Sequence, residues 1–273
     1  MVITKIKGLK GKLLKYDDYK NLLNIGDFSI IKNFSSYKYL KDYEYLTTNL
    51  QNDLYISLLN DFKKLDSILK KSKIIKIYKI KMQILIIKIL YSTLDENYDF
   101  DAIDIGIDTK KISKSKNKDD FLQALNGTEF FEVLKFVKSS DYIFYLDLYY
   151  YKRCSDFFYN KHFKNIINSE ISFLNNRILQ VVKKYTVNTN EYLIPKYRDK
   201  SYKFNENKAQ KDYINYMKKL LRHGINFNLS NSIELEEAYF FYYIFLKELE
   251  IKNLLIVTEG IKHKRDVSFL INL

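Results

Sequence analysis

Apolar residues recur three and four positions apart along most of this chain, the period of a helix that buries one side. In the opening stretch Ile6, Leu9, Leu13 and Tyr16 follow one another in that rhythm, with Lys5, Lys7, Lys10 and Lys12 on the other faces. The pattern predicts one helix carrying all four. Asp17 or Asp18 is placed to cap a second short helix through Leu22 and Leu23, and Gly26 suits its C-terminal end. A third starts at Asp27, with Phe28, Ile30, Ile31 and Phe34 apolar, and ends at Ser35 and Ser36. Longer helices follow over about 50–70 and 74–94. Residues 95–119 break the rhythm. Asp95 to Asp108 is acidic, Lys110 to Lys118 is basic, and few apolar side chains are offered for burial, which predicts a loop or partly ordered excursion. Helical patterning resumes from Asp119 to about Tyr185. A second irregular stretch, 186–208 with Pro195, precedes two or three final helices. One proline, seven glycines and no recurring hairpin turns between alternating runs predict an all-α fold.

The run from Phe245 to Lys264 is almost wholly apolar, yet it carries Glu248, Glu250 and Asn253 at its centre. A helix of that kind is buried nearly all round, and buried carboxylates are costly unless partnered. A related pattern spans Ser169 to Leu179: setting Asn175 on Asn253 places Glu170 on Glu248 and Ile171 on Leu249. A weaker first copy puts Gln83 in the Asn175 position. The chain therefore reads as one all-α body of about three helical pseudo-repeats, approximately 1–94, 95–185 and 186–273. Glu170 and Glu248 fit partnered core carboxylates, a face for a binding partner, or a catalytic acid, although no co-catalyst is visible beside them. Glu248 also stands four residues before Lys252, a favourable helical pair. Asn175 and Asn253 are expected to bond a neighbouring helix or loop backbone.

The formal net charge of +13 and a pI near 9.3 invite a nucleic-acid or anionic-membrane partner. AT-rich coding accounts equally for a chain so full of Lys, Ile, Asn, Tyr and Phe. Only five arginines occur, leaving 41 of the 46 basic residues as lysine, whereas base readout favours the arginine fork. The tyrosine-rich run Tyr142 to Arg153 suits stacking on bases or a packed helix whose phenols find partners such as Asp147. Cys154 is alone, so a reducing compartment is expected, and no leader pattern opens the chain. The uncharged stretch Ala238 to Leu246 falls far short of the roughly 18 residues of a spanning helix. His162, His223 and His263 lie far apart, none in metal-ligand spacing with Cys154, and no HExxH, P-loop, GxGxxG or GxSxG string occurs. No catalytic, cofactor-binding or metal-binding residue is expected.

Four segments carry a resemblance. Lys5 to Leu23, a paired opening helix rich in lysine and leucine, is similar to the start of the C-subunit family of V/A-type ATPases, whose eukaryotic V-ATPase members are called d subunits. Leu146-Asp-Leu-Tyr-Tyr-Tyr151 resembles that family's LD–YY element. Ser169-Glu-Ile through Ile178 and Glu248-Leu-Glu-Ile-Lys-Asn-Leu254 resemble its two Glu/Asn helical motifs, and Glu259-Gly-Ile-Lys262 resembles its ending. Lys5 and Lys7 stand where the family usually has arginine, and the usual Pro-Gly-Gly turn is reduced to Ile194-Pro-Lys196. The resemblance implies three pseudo-symmetric helical bundles forming a funnel-like body. It further implies a non-catalytic central-stalk (rotor) component of a rotary motor that connects the shaft to the proteolipid ring moving H⁺ or Na⁺. Its partners would be that ring and the other central-stalk proteins, with peripheral contact at the cytoplasmic face of a membrane and no specific nucleic acid. The alternative is a basic helical nucleic-acid-binding protein.

Overall fold

Residues 2–34, 36–38, 48–69, 72–94, 105–157, 164, 166–173, 175, 209–226, 232–268 and 271 are described by the computed structural model of the chain. Helix α1, Val2–Lys10, buries Ile6 as its spacing predicts but stops before Gly11. Lys12 N–H and Leu13 N–H turn back to the carbonyls of Leu9 and Lys10, so the predicted four-residue stripe is cut. Leu14 takes the buried place beyond the break, and Tyr16 opens the next helix with 38% of its surface exposed. In α2, Tyr16–Ile25, the N-cap is Lys15 rather than Asp17 or Asp18, which lie inside the first turn; Asp18 Oδ2 reaches back to accept from Lys15 N–H at 2.7 Å. Gly26 ends it in the left-handed conformation at φ 70°, its N–H bonded to Leu22 O, a position where a Cβ is strained. The third segment is a 3₁₀ turn, Phe28–Asn33, capped by Asp27 through Ser29 N–H.

Two long helices follow, α3 Thr48–Asp66 and α4 Lys73–Ser92. Residues 95–104 lie outside the described part of the predicted excursion. The remainder is ordered, contrary to expectation. Ile105, Ile107, Thr109 and Ile112 are buried, and α5, Thr109–Ser113, is capped by Asp108. The apolar residues there are few but spaced to dock on α4, where Gln83 Nε2 also donates to Ile105 O at 2.9 Å. Short helices α6, Lys118–Ala124, and α7, Glu129–Leu134, are separated by Gly127 at φ 86° and capped by Asn117 and Thr128. The tyrosine-rich run forms α8, Tyr142–Phe157, with Tyr142, Leu146, Tyr150 and Cys154 buried on one stripe. Asp147 pairs with Lys88 at 2.6 Å, not with a phenol as expected. Residues 166–173 are helical, and the Pro195 stretch is outside the described residues. Helices α9, Ala209–Asn226, and α10, Ser232–His263, complete the set.

Helix bundling gives the body two linked halves. Helix α10 packs against α1, α2, α3 and α9, while α4 packs against α3, α5 and α8. No strand occurs among the described residues, so the fold is all-α as predicted. The 32 residues of α10 span about 48 Å. Consecutive buried positions from Phe240 to Ile244 show why it lacks a one-sided stripe: neighbours cover it nearly all round. Tyr78 of α4 meets Phe240 and Phe241 edge-on, with centroids 5.1 and 4.8 Å apart, joining the halves. No helix among the described residues is long and apolar enough to cross a membrane.

The end of α10 closes by a paired turn. Lys264 adopts φ 52°, its N–H bonds Ile261 O, and Arg265 N–H bonds Gly260 O. This folds the following segment back onto Gly260, where an added Cβ would stand 2.5 Å from Val267 Cγ2 and 3.1 Å from Arg265 O. Gly260→Ala should therefore destabilise the protein by ~1–3 kcal/mol despite alanine's better helix propensity. The urea midpoint checks this; a midpoint unchanged or raised would mean that the returning segment does not press on the helix.

Candidate functional site

Polar side chains on a helix buried all round must find partners on whatever packs against it. Along α10 they do so repeatedly. Glu237 accepts from Ser72 Oγ at 2.6 Å, and Tyr243 OH donates to Asp61 Oδ2 at 2.5 Å. Glu248 pairs with Lys81 of α4 at 2.6 Å. Glu250 gathers the largest set: Leu14 N–H at 2.5 Å on Oε2, with the Tyr37 hydroxyl and Lys247 Nζ, at 2.7 Å, on Oε1. Lys247 also donates to Tyr37 OH at 2.9 Å and lies 4.4 Å from its ring centroid. All of this is dry, with Tyr37, Lys247 and Glu250 at 0%, 1% and 3% exposure. The cation, the phenol and the loop amide together replace the water that an ionised carboxylate gives up. Asn253, also fully buried, lies one turn on against Tyr19, whose hydroxyl is pushed well above the ordinary phenol range by burial and then by the Glu250 charge.

A second cluster surrounds the Lys81–Glu248 pair. Tyr55 of α3, Tyr78 of α4, Tyr151 and Cys154 of α8, Glu170 of the 166–173 segment and Tyr213 of α9 all feel its charges. Lys81 and Glu248 keep 24% and 21% of their side-chain surface open, so the pair is partly exposed. Burial works against the Lys81 charge, but Glu248, Glu170 and the Glu248 hydrogen bond together raise its pKa above the usual lysine range. Glu170 is raised above the carboxylate range by burial; Lys81 pulls it down, and Glu248 pushes it further up. Burial also raises the Cys154 thiol, which leaves it a packed thiol with no thiolate character.

The structure brings together two of the four residues singled out from sequence, Glu170 and Glu248, around one lysine. The Glu170 charge acts directly on Lys81. Asn253 belongs with Tyr19 beside the Glu250 network, and Asn175 is buried just beyond the 166–173 segment. The register that places Glu170 on Glu248 places Tyr78 at the same position of the weak first copy, and Tyr78 lies beside both, its phenol raised by burial and then by Glu170 and Glu248. Sequence reasoning missed Lys81, Lys247 and Tyr37. Lys247 carried a usable signal, a lysine three residues before Glu250 inside an apolar run; Tyr37 and Lys81 carried none, because their partners lie on distant parts of the chain.

What this arrangement offers chemically is charge stored at helix crossings. Among the described residues no group of three or more His, Cys, Asp or Glu is placed to hold a metal ion. Comparison of the chain with protein-family models, with curated proteins and with solved structures finds no match.

Glu170 supplies a pH test. Its folded pKa lies above the unfolded value of about 4.5, so the native state holds the proton more tightly. That contribution to stability is present at low pH and is lost as pH rises from about 4.5 through the folded value. Glu170→Gln should leave stability at pH 7 equal or higher and flatten the decline that sets in above about pH 4.5. Chemical denaturation across pH measures this; a glutamine variant that loses stability at neutral pH would show that the ionised carboxylate is needed.

Proposed function

We propose that this chain is a non-catalytic coupling component of a rotary V/A-type ATPase, of the C type or, in eukaryotic terms, the d type. It joins the rotating central shaft to the proteolipid ring that moves H⁺ or Na⁺. The observation that carries the reading is the convergence of repeat-equivalent positions: Tyr78, Glu170 and Glu248 gather around Lys81. Equivalent residues meet when similar units are arranged about a common axis, as in the three-bundle funnel that the resemblance implies. The mechanical role is served by the same features. Ion pairs and hydrogen bonds at the crossings of α10 with α3, α4 and the α1–α2 corner resist sliding of one helix on another, which a part transmitting torque requires. In this reading the protein sits at the cytoplasmic face of a membrane, held by its ring and stalk partners, and the lysine-rich charge is incidental.

Affinity purification of the tagged protein from gently solubilised native membranes, with mass spectrometry of the eluate, tests the proposal. Proteolipid and central-stalk proteins should co-elute and persist when salt is raised. Recovery of nucleic acid without ATPase components, lost at high salt as phosphate contacts are screened, would overturn it in favour of a basic nucleic-acid binder.

A further inference from the structure

Helix α1 packs on α10 with its charge outward. Ile6 is buried, and Ile3 and Leu9 are half-buried on either side of it, which turns Thr4 and Gly8 to solvent as the crest of the helix. An added Cβ at Gly8 would meet nothing within 4 Å, so the crest carries no bulk. Exposed lysines flank it, Lys5 on one side and Lys7 and Lys10 on the other, with Lys12 and Lys15 exposed in the turn beyond. Two of them are held in place by α10: Lys7 Nζ lies 5.3 Å from the ring centroid of Tyr239, and Lys10 Nζ 4.5 Å from that of Tyr242.

Tyr242 brings a second basic segment to the same place. Its hydroxyl accepts from Arg222 Nε of α9 at 3.3 Å. Lys218, one turn earlier on α9, is buried with no partner for its Nζ, and burial and then Arg222 hold its pKa below the usual lysine range. No acidic residue occurs in 1–16 or in 213–233, so the fold joins two stretches that carry charge of one sign only. Among the described residues none of these cations has a carboxylate at ion-pair distance. Asp17 and Asp18 follow along α2, and Glu236 precedes Tyr239 by one turn on α10.

Positive charge on a convex helix, with no apolar side chain at its crest, is complementary to an extended anionic surface. We propose that the α1 face docks on anionic phospholipid headgroups, with α1 lying parallel to the bilayer surface and its lysines reaching the phosphates. Attraction to the charged surface holds it there, since the crest has nothing to insert among acyl chains. Nucleic acid fits this face less well. Lys7 and Lys10 cover the rings of Tyr239 and Tyr242 and close them to base stacking, and Arg222 is the one arginine in the two stretches. The proposal deepens the coupling reading, on which it rests for a membrane beside the protein, by naming the face turned to the lipid.

Flotation of the full chain with vesicles of phosphatidylcholine, with and without phosphatidylserine, tests the proposal. Binding should be at least about tenfold tighter to the phosphatidylserine vesicles and should be lost as salt is raised. Lys5→Ala/Lys12→Ala removes two exposed lysines and should weaken binding about tenfold with the melting transition retained. Lys110→Ala/Lys111→Ala removes the same charge from α5, where both lysines are equally exposed, and should leave binding unchanged. Equal binding to the two kinds of vesicle, equal loss in the two variants, or tighter binding to duplex DNA at the same salt would each overturn the proposal. Vesicle binding by the isolated chain needs no motor partner, so its failure is read separately from an affinity eluate that lacks proteolipid, which counts against the coupling reading.

Discussion

The carboxylate of Glu250 is the point on which this structure turns. It lies in the dry interior of the last helix and is bonded by an amide near the start of the chain, a phenol beyond the first 3₁₀ turn, and a lysine on its own helix. Each partner is costly to leave alone: an orphaned buried lysine or carboxylate costs about 3–5 kcal/mol. The network is therefore satisfied only when the N-terminal corner, the Tyr37 segment and α10 are all in place. Apolar packing alone tolerates sliding between helices, whereas a bonded ion at the crossing selects one register. That selectivity is what the break after Lys10 serves, since it leaves Leu14 N–H outside a helix so that Glu250 can take it.

The second charged cluster is built on a different principle. Around Lys81 stand two carboxylates, Glu170 and Glu248, and the Lys81–Glu248 pair remains partly exposed. Such a cluster holds helices from several parts of the sequence at one point, α3, α4, α8, α9 and α10 among them, without sealing it against water. The two sets of polar contacts meet α10 within one turn of each other, at Glu248 and Glu250, on different sides of the helix.

Much of the helical content was legible because it rests on local chemistry. The period of α3 and α4, the glycine at the end of α2, and the Asp27 cap of the 3₁₀ turn are each decided within a few residues. The buried character of Glu250 and Asn253 was legible too, since an apolar run of that length leaves polar members nowhere else to go. What sequence concealed is long-range. Nothing near Tyr37 or Lys81 marks them as partners of residues on the last helix. Residues 105–119 were misjudged because average polarity hid three isoleucines, Ile105, Ile107 and Ile112, spaced to fit α4. The stripe from Ile6 to Tyr16 misled in the opposite direction: its period was continuous, but the demand of a buried carboxylate for a free amide broke the helix inside it.

The most direct measurement is amide hydrogen exchange at Leu14. This amide lies between helices and its protection depends on Glu250 Oε2, 236 positions away. If the network ties the two ends of the chain together, Leu14 N–H should exchange as slowly as the core amides of α10, through global unfolding alone. Exchange at the rate of an exposed turn, while the α10 amides remain protected, would show that the corner opens freely and that Glu250 does not hold the fold together.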